Sequence, residues 1–191
     1  MRVAFFGGSF DPPHVAHVLA AAYLVSTGDY DDVLVVPVYH HAFDKRLAPF
    51  ADRLRMCELA MSPLPGVQVS AVESSLAVPS LTVRTLQHLQ HASPGHEWHL
   101  IVGSDVLAEL GKWHQFEEVC RLARLRVLGR IGFEHPQAEP AVLPEVSSSE
   151  IRELLRRRDD SDSRQRLGAL VPRSVLRYID EHRLYHTDTR C

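Results

Sequence analysis

Cysteine is scarce in this chain, and lysine is scarcer. Of 191 residues only 3 are cysteine: Cys57, Cys120 and Cys191. None forms a C-x-x-C pair, and an odd number leaves no complete disulfide framework. A reducing compartment is expected, and with it a cytoplasmic protein. Long hydrophobic runs are lacking too. No apolar stretch approaches the roughly 20 residues of a membrane span. The apolar N-terminus is stopped by Asp11, Pro12 and Pro13, so it does not read as a signal peptide. Charge of one sign is also missing. A formal net charge of -3 argues against a broadly basic nucleic-acid binder. Neither a membrane nor a nucleic acid is an expected partner, and a homo-oligomer is left open.

What is present is ordinary in bulk and unusual in detail. Apolar residues make up 45% and charged residues 24%, as in a soluble globular protein. A chain this long buries most of its unfolded surface and needs no disulfide or metal staple. It reads as one domain over residues 1–191. Histidine is abundant at 12, and 19 of the 21 Lys and Arg residues are arginine, leaving Lys45 and Lys112.

Short apolar runs alternate with longer amphipathic ones. Arg2–Phe6, Val33–Val38, Val67–Val72, Glu97–Val102 and Leu125–Arg130 read as strands. His14–Ser26, Pro49–Met61, Leu81–Gln90, Ser104–Glu109, Gln115–Ala123, Ser149–Arg158 and Pro172–Glu181 read as helices. On the first helix Val15, Val18, Leu19 and Ala22 share a side; on the second Leu54, Cys57, Leu59 and Ala60 point to the core. Gly132–Pro144 reads as an irregular connection, and Asp159–Arg166 as a solvated helix end and loop. The fold class this implies is α/β, a doubly wound, mostly parallel sheet covered on both faces. Ligands of such sheets bind beyond the carboxyl ends of the strands, where the strand order reverses. Function should gather after Phe6, Val38, Val102 and Arg130.

The first of these junctions reads G-G-S-F-D-P-P-H-V-A-H. It is neither the G-x-G-x-x-G dinucleotide fingerprint nor a P-loop. Gly7 and Gly8 still let backbone approach a phosphate, and the next helix offers free N–H groups and partial positive charge. His14 and His17, three residues apart, share one face of the first helical turn. Two imidazoles above an anion site suit phosphoryl or nucleotidyl transfer. The competing readings are a satisfied helix end or half of a zinc site, for which spacing supplies no third ligand.

Gly8–His17 resembles the G-x-F-D-P-x-H-x-G-H signature of the nucleotidylyltransferase superfamily, with Ala16 in place of the usual glycine. About 130 residues later V-S-S-S-E-I-R (146–152) resembles I-S-S-T-x-I-R. Within that superfamily, three further stretches resemble the bacterial nicotinate mononucleotide adenylyltransferases. They are P-S-L-T-V-R-T-L (79–86), I-V-G-S-D-V-L-A-E-L-G-K-W (101–113) and the C-terminal L-V-P-R-S-V-L-R-Y-I-D-E-H-R-L-Y. The resemblance implies a Rossmann-like fold. It also implies transfer of AMP from ATP to nicotinate mononucleotide, giving deamido-NAD and pyrophosphate, with Mg2+ accompanying ATP.

By residue, the resemblance implies that Gly8, Ser9 and Phe10 present backbone to the phosphates. His14 and His17 would contact the ATP phosphates, with His17 the main stabiliser of the transition state. Ser148 and Ser149 would cap the helix carrying Arg152, which would bind the triphosphate. Gly103 and Asp105 resemble a ribose-contacting pair; a carboxylate can accept from both ribose hydroxyls. Trp113 would stack on the pyridine ring, Thr82 would help hold its carboxylate, and Lys45 would bind phosphate. Each has a plainer counterpart: an ordinary N-cap, a strand-to-helix turn, a core aromatic. The resemblance weakens at Val38–Lys45, where the family's N-x-P-P-H-K prolines are missing and the loop reads as about one residue longer. His40 and His41 have no clear counterpart, and His41 is assigned to the acceptor side. That loop leaves open nicotinamide mononucleotide or another phosphorylated acceptor. A non-catalytic nucleotide-binding protein and a zinc hydrolase are the alternatives from other classes. The other eight histidines (His88, His91, His96, His99, His114, His135, His182 and His186) read as surface or packing residues.

Overall fold

The computed structural model describes residues 1–43, 45–133, 135–140 and 143–185. Five strands, β1 (Arg2–Gly8), β2 (Asp32–Pro37), β3 (Val67–Val69), β4 (Glu97–Gly103) and β5 (Arg124–Leu128), form one sheet. Their order is β3-β2-β1-β4-β5, and every neighbouring pair is parallel. The doubly wound sheet expected from the sequence is the one observed. The order reverses between β1 and β4, so the chain leaves these two central strands toward opposite edges.

Side-chain alternation explains how the sheet is covered. On β1, Val3 and Phe5 turn to one face, where Leu86 of α3 (Thr82–Ala92) and Val119 of α4 (Phe116–Leu122) pack. Ala4 turns to the other face, against Ala20, Ala21 and Leu24 of α1 (Val15–Ser26) and Cys57 and Met61 of α2 (Phe50–Met61). A third cluster joins α2 to α5 (Ser148–Arg156), α6 (Ser161–Leu170) and α7 (Arg173–Glu181). Met56, Ile151, Leu154, Leu167, Val175 and Ile179 form it. None of the described helices is long and apolar enough to cross a membrane.

Several elements differ from the reading of the sequence. α1 buries Ala16, Ala20, Ala21 and Leu24, while Leu19 is exposed. The helix is apolar nearly all round, so periodicity did not identify its core face, and its alanines allow a close approach to the sheet. α2 buries Arg53 and Met56 with Cys57 and Ala60, leaving Leu54 and Leu59 half-buried. β3 ends at Val69 rather than Val72, and a 3-10 turn follows at Val72–Ser75. Ser104–Lys112 is 3-10 rather than α-helical. The largest difference lies at 159–166. Most of that segment belongs to α6, whose N-cap Asp160 accepts from the Ser163 N–H at 2.9 Å. Its polar surface hid a helix anchored by Leu167. Asp44, Glu134, Ala141, Val142, His186 and Cys191 lie outside the described residues, including parts of the expected Gly132–Pro144 connection.

Candidate active site

At the carboxyl end of the sheet, where the strand order reverses, lies a cavity of about 500 Å³. Each loop singled out in the sequence contributes to it. Gly8, Ser9, His14 and His17 come from the β1–α1 junction. His41 and Lys45 follow β2. Gly103, Asp105 and Trp113 follow β4. Thr82 opens α3, and Arg130 follows β5.

The two histidine rings lie against each other, tilted by 33° with centroids 3.8 Å apart. His14 is the N-cap of α1, and its backbone N–H donates to His17 Nδ1 at 3.2 Å. A neutral His17 ring accepting at Nδ1 carries its proton on Nε2, which is thereby a donor. Phe10, buried at φ 46°, backs the ring at a centroid distance of 4.8 Å. The phenyl group sits behind the cavity wall, so Phe10 supports His17 rather than lining the cavity. Gly8 packs tightly here, because a Cβ on it would meet the Phe10 ring at 3.1 Å and press it toward His17. Burial, and then the Arg130 charge, lower the His14 pKa from 6.5 to about 3. His17 keeps some surface open to the cavity. Burial, then His14, then Arg130 still hold its pKa well below 6.5. Both rings are therefore neutral at pH 7.

Arg130 was read only as the end of the fifth strand. Its Nη1 donates to Asp105 at 2.5 Å and its Nη2 to the Val146 carbonyl, joining the β4 and β5 ends to the approach to α5. Its Nε is buried without a partner. A Cβ at Gly103 would collide with the Asp105 carboxylate and meet Arg130 Cδ at 3.2 Å, so any larger residue must displace this ion pair.

The second signature takes a different form from the one the resemblance implied. The N-cap of α5 is Ser147, whose hydroxyl accepts from the Glu150 N–H at 3.1 Å. Ser148 and Ser149 lie inside the first turn. Ser148 donates to the Pro12 carbonyl at 3.0 Å, and Ser149 accepts from Arg152 at 3.2 Å. Arg152 itself donates to the Asp11 carbonyl at 2.6 Å. Ser148, Ser149 and Arg152 thus border the β1–α1 loop from behind and do not line the cavity. The loop is held from its other side by the buried Arg53, which donates to the Ser9 and Ala48 carbonyls, each at 2.9 Å. Asp11, a position of the Gly8–His17 signature that was given no role of its own beyond stopping the apolar run, is buried beside these arginines.

On the opposite wall, the loop after β2 is tied to the segment before α3. The Ser80 N–H donates to the His40 carbonyl at 2.8 Å, and Ser80 Oγ accepts from the His40 N–H at 3.1 Å. His41 Nδ1 accepts from the Phe43 N–H at 3.1 Å, which leaves Nε2 as the donor of the neutral ring. Burial, then the Lys45 and Arg53 charges, lower its pKa. The buried Glu73 accepts from the Tyr39 N–H and from Thr85 Oγ1, at 3.0 and 2.9 Å. Lys112 and His114 also line the cavity. Both lysines of the chain therefore face one site, and one histidine set aside as surface or packing joins them. Among the described residues no group of three or more His, Cys, Asp or Glu is arranged to hold a metal ion.

The comparisons with known proteins point the same way as this geometry. Residues 5–154 match a family model described as cytidylyltransferase-like. A protein of Anaeromyxobacter sp. (strain K) named "Probable nicotinate-nucleotide adenylyltransferase" is 46% identical over 188 residues, covering 96% of each chain. A protein of the same name from Myxococcus xanthus (strain DK1622) is 38% identical, covering 97% of this chain and 95% of its own. The chain belongs to the nicotinate-nucleotide adenylyltransferase family. The fold is shared with Plasmodium falciparum nicotinic acid mononucleotide adenylyltransferase complexed with NaAD. The TM-score is 0.81 at 20% identity, with 96% of this chain and 97% of that one covered. The same protein complexed with APC gives 0.77 at 18% identity, covering 96% of each. Within this family, the sequence alone pointed to His14, His17, Gly103 and Asp105. It missed Arg130, Arg53, Asp11, Lys112 and His114. A position directly after a strand end was a usable signal for Arg130. Asp11 and Lys112 lay inside the quoted stretches 8–17 and 101–113 without being singled out, and Arg53 and His114 lacked a signal, because neighbours distant in sequence define their surroundings.

Proposed function

We propose that this protein transfers AMP from ATP to nicotinate mononucleotide, giving deamido-NAD and pyrophosphate. The carrying observation is one cavity in which a neutral imidazole donor, Arg130 and both lysines converge beside Asp105 and Trp113. Membership of the nicotinate-nucleotide adenylyltransferase family supports the acceptor. An oxygen of the acceptor 5′-phosphate attacks the α-phosphorus of ATP in line. A P–O bond forms on one side as the bond to the bridging oxygen breaks on the other, and pyrophosphate leaves. No covalent enzyme intermediate is needed, so catalysis rests on positioning and on stabilising charge.

Each residue has a part in this reading. His17 Nε2–H donates to the α-phosphate oxygens as charge builds there, and the His14 N–H bonded to His17 Nδ1 holds that donor in line. Gly8 and Ser9 approach the phosphates with their backbone, and Phe10 supports His17. The helix start at Ser148 and Ser149, with Arg152, takes the far phosphates of ATP. Gly103 leaves room for the ribose, and Asp105, held by Arg130, accepts from its hydroxyls. Lys45 and His41 bind the acceptor phosphate. Trp113 stacks on the pyridine ring, and Thr82 donates toward the ring carboxylate. Mg2+ enters as part of the ATP complex. The donor set facing the cavity is mostly cationic and offers no cage for a resident ion, and magnesium is commonly held through substrate phosphates and water. The reaction is placed in the cytoplasm, with the whole chain acting as one domain.

The loop at 38–45 supports a second acceptor, nicotinamide mononucleotide. The family's prolines are missing there, and His41, which has no clear counterpart, brings an Nε2 donor to the cavity. Incubation with ATP, magnesium and each mononucleotide in turn tests both readings through pyrophosphate release. Faster release with nicotinate mononucleotide is expected. Faster release with the nicotinamide form reverses the assignment, and no release with either removes it.

A further inference from the structure

Asp11 is a carboxylate within the β1–α1 loop, with 1% of its surface exposed. Its Oδ1 accepts the Ala48 N–H at 3.1 Å and the Tyr185 hydroxyl at 2.6 Å. Arg152 approaches Oδ2 at 3.5 Å while donating to the Asp11 carbonyl. Tyr185 reaches this carboxylate from beyond the end of α7, and the backbone that delivers it is unusual. Arg183 has φ 52° and Tyr185 φ 61°. Left-handed conformations at bulky L-residues are strained and persist where surrounding contacts impose them. Here two of them bring one hydroxyl to one buried acid. Burial, and then the Asp11 charge, raise the Tyr185 pKa, which keeps the hydroxyl a donor.

Arg152 has two claimants. The adenylyltransferase reading gives it to the ATP phosphates, yet in this structure it is engaged by Asp11 and stands outside the cavity lining. To reach a triphosphate it must leave Asp11. A buried carboxylate that loses its cation is destabilised unless other donors remain. We propose that Tyr185 is a positioning residue that satisfies Asp11 in place of Arg152, releasing Arg152 to the ATP triphosphate. The C-terminal segment then helps set ATP affinity from behind the site. This inference rests on the ATP-binding reading above.

The test is ATP affinity, measured by titration calorimetry with magnesium on the whole chain. Tyr185→Phe keeps the ring and removes the donor, so Asp11 retains Arg152 more strongly. ATP should bind about threefold to tenfold more weakly. In an Arg152→Met background, itself weaker for ATP than the wild type, the same change should have no effect, because the two positions act through one contact. Loss of packing alone would weaken both backgrounds equally. Asp11→Asn supplies the reciprocal measurement, and keeps the question open to test if Tyr185→Phe does not fold. It removes the carboxylate charge 3.5 Å from Arg152 while leaving the Asp11 carbonyl that Arg152 also donates to, and ATP should bind as tightly as in the wild type or more tightly. Equal weakening in both backgrounds, no weakening by Tyr185→Phe, wild-type affinity in Arg152→Met, or weaker binding by Asp11→Asn each overturns the proposal. Absence of ATP binding by the wild type removes the adenylyltransferase reading as well.

Discussion

His17 shows how a single hydrogen bond sets the chemistry of a residue. The His14 N–H occupies Nδ1, so the neutral ring has one donor left, at Nε2. His17→Ala removes that donor and the ring contact with Phe10. Turnover should fall about 10²- to 10³-fold, the usual loss for one transition-state donor, while far-UV circular dichroism stays unchanged. A wild-type rate would exclude His17 as the main stabiliser. His14 carries a pH prediction. Its folded pKa of about 3 lies below the 6.5 of the unfolded chain, so between those values the unfolded state binds the extra proton. The stability contribution is complete above pH 6.5 and is lost as pH falls toward 3. The slope from this one group is about 1.4 kcal/mol per pH unit. Urea unfolding at pH 7.5 and 5.5 should show a smaller drop for His14→Gln than for the wild type; equal drops would contradict it.

At the scale of elements, the β4 end and α6 illustrate two kinds of local requirement. Gly103 lies under the Asp105–Arg130 pair, where a methyl group must displace the carboxylate. Gly103→Ala should push these side chains apart and cost about 1–3 kcal/mol, typical of overpacking. The expected kinetic effect is a higher KM for ATP than for the mononucleotide. α6 was concealed in the sequence by the run Asp159–Arg166, which reads as a loop. Its cap, Asp160, and its anchor, Leu167 at 4% exposure, are seven residues apart, and the signal at either alone is weak. Leu167→Ala should destabilise the protein by about 2–5 kcal/mol through a cavity in the α5–α7 cluster, read as a lowered urea midpoint. The strands were more legible, because short apolar runs buried on both faces of a parallel sheet have few other uses.

Across the whole molecule, the reversal of strand order brings four loops to one crevice, and ligand binding there should stabilise the entire fold. At a concentration of ATP 100 times its Kd, the gain is about 2.7 kcal/mol, seen as a raised Tm with magnesium-ATP. An unshifted Tm at saturating nucleotide would count against an ATP site in the cavity. The negative net charge of -3 coexists with a cavity that, among the described residues, draws in both lysines and Arg130 against only Glu73 and Asp105. Composition averages over such a gathering and cannot report it.

The alternation of apolar runs determined the parallel sheet, and the family resemblance carried by Gly8, His14, His17, Gly103 and Asp105 picked out residues that line one cavity. Both signals are local: a strand, a turn or a helix face is specified within a dozen residues. Tertiary structure alone decided that Arg130 holds Asp105, that Arg152 rests on Asp11, and that Tyr185 reaches across 174 positions to the same carboxylate. The physical reason is that hydrogen-bond partners and desolvation are properties of neighbours in space. Until the strand order brings them together, nothing in the chain marks which arginine will meet which acid.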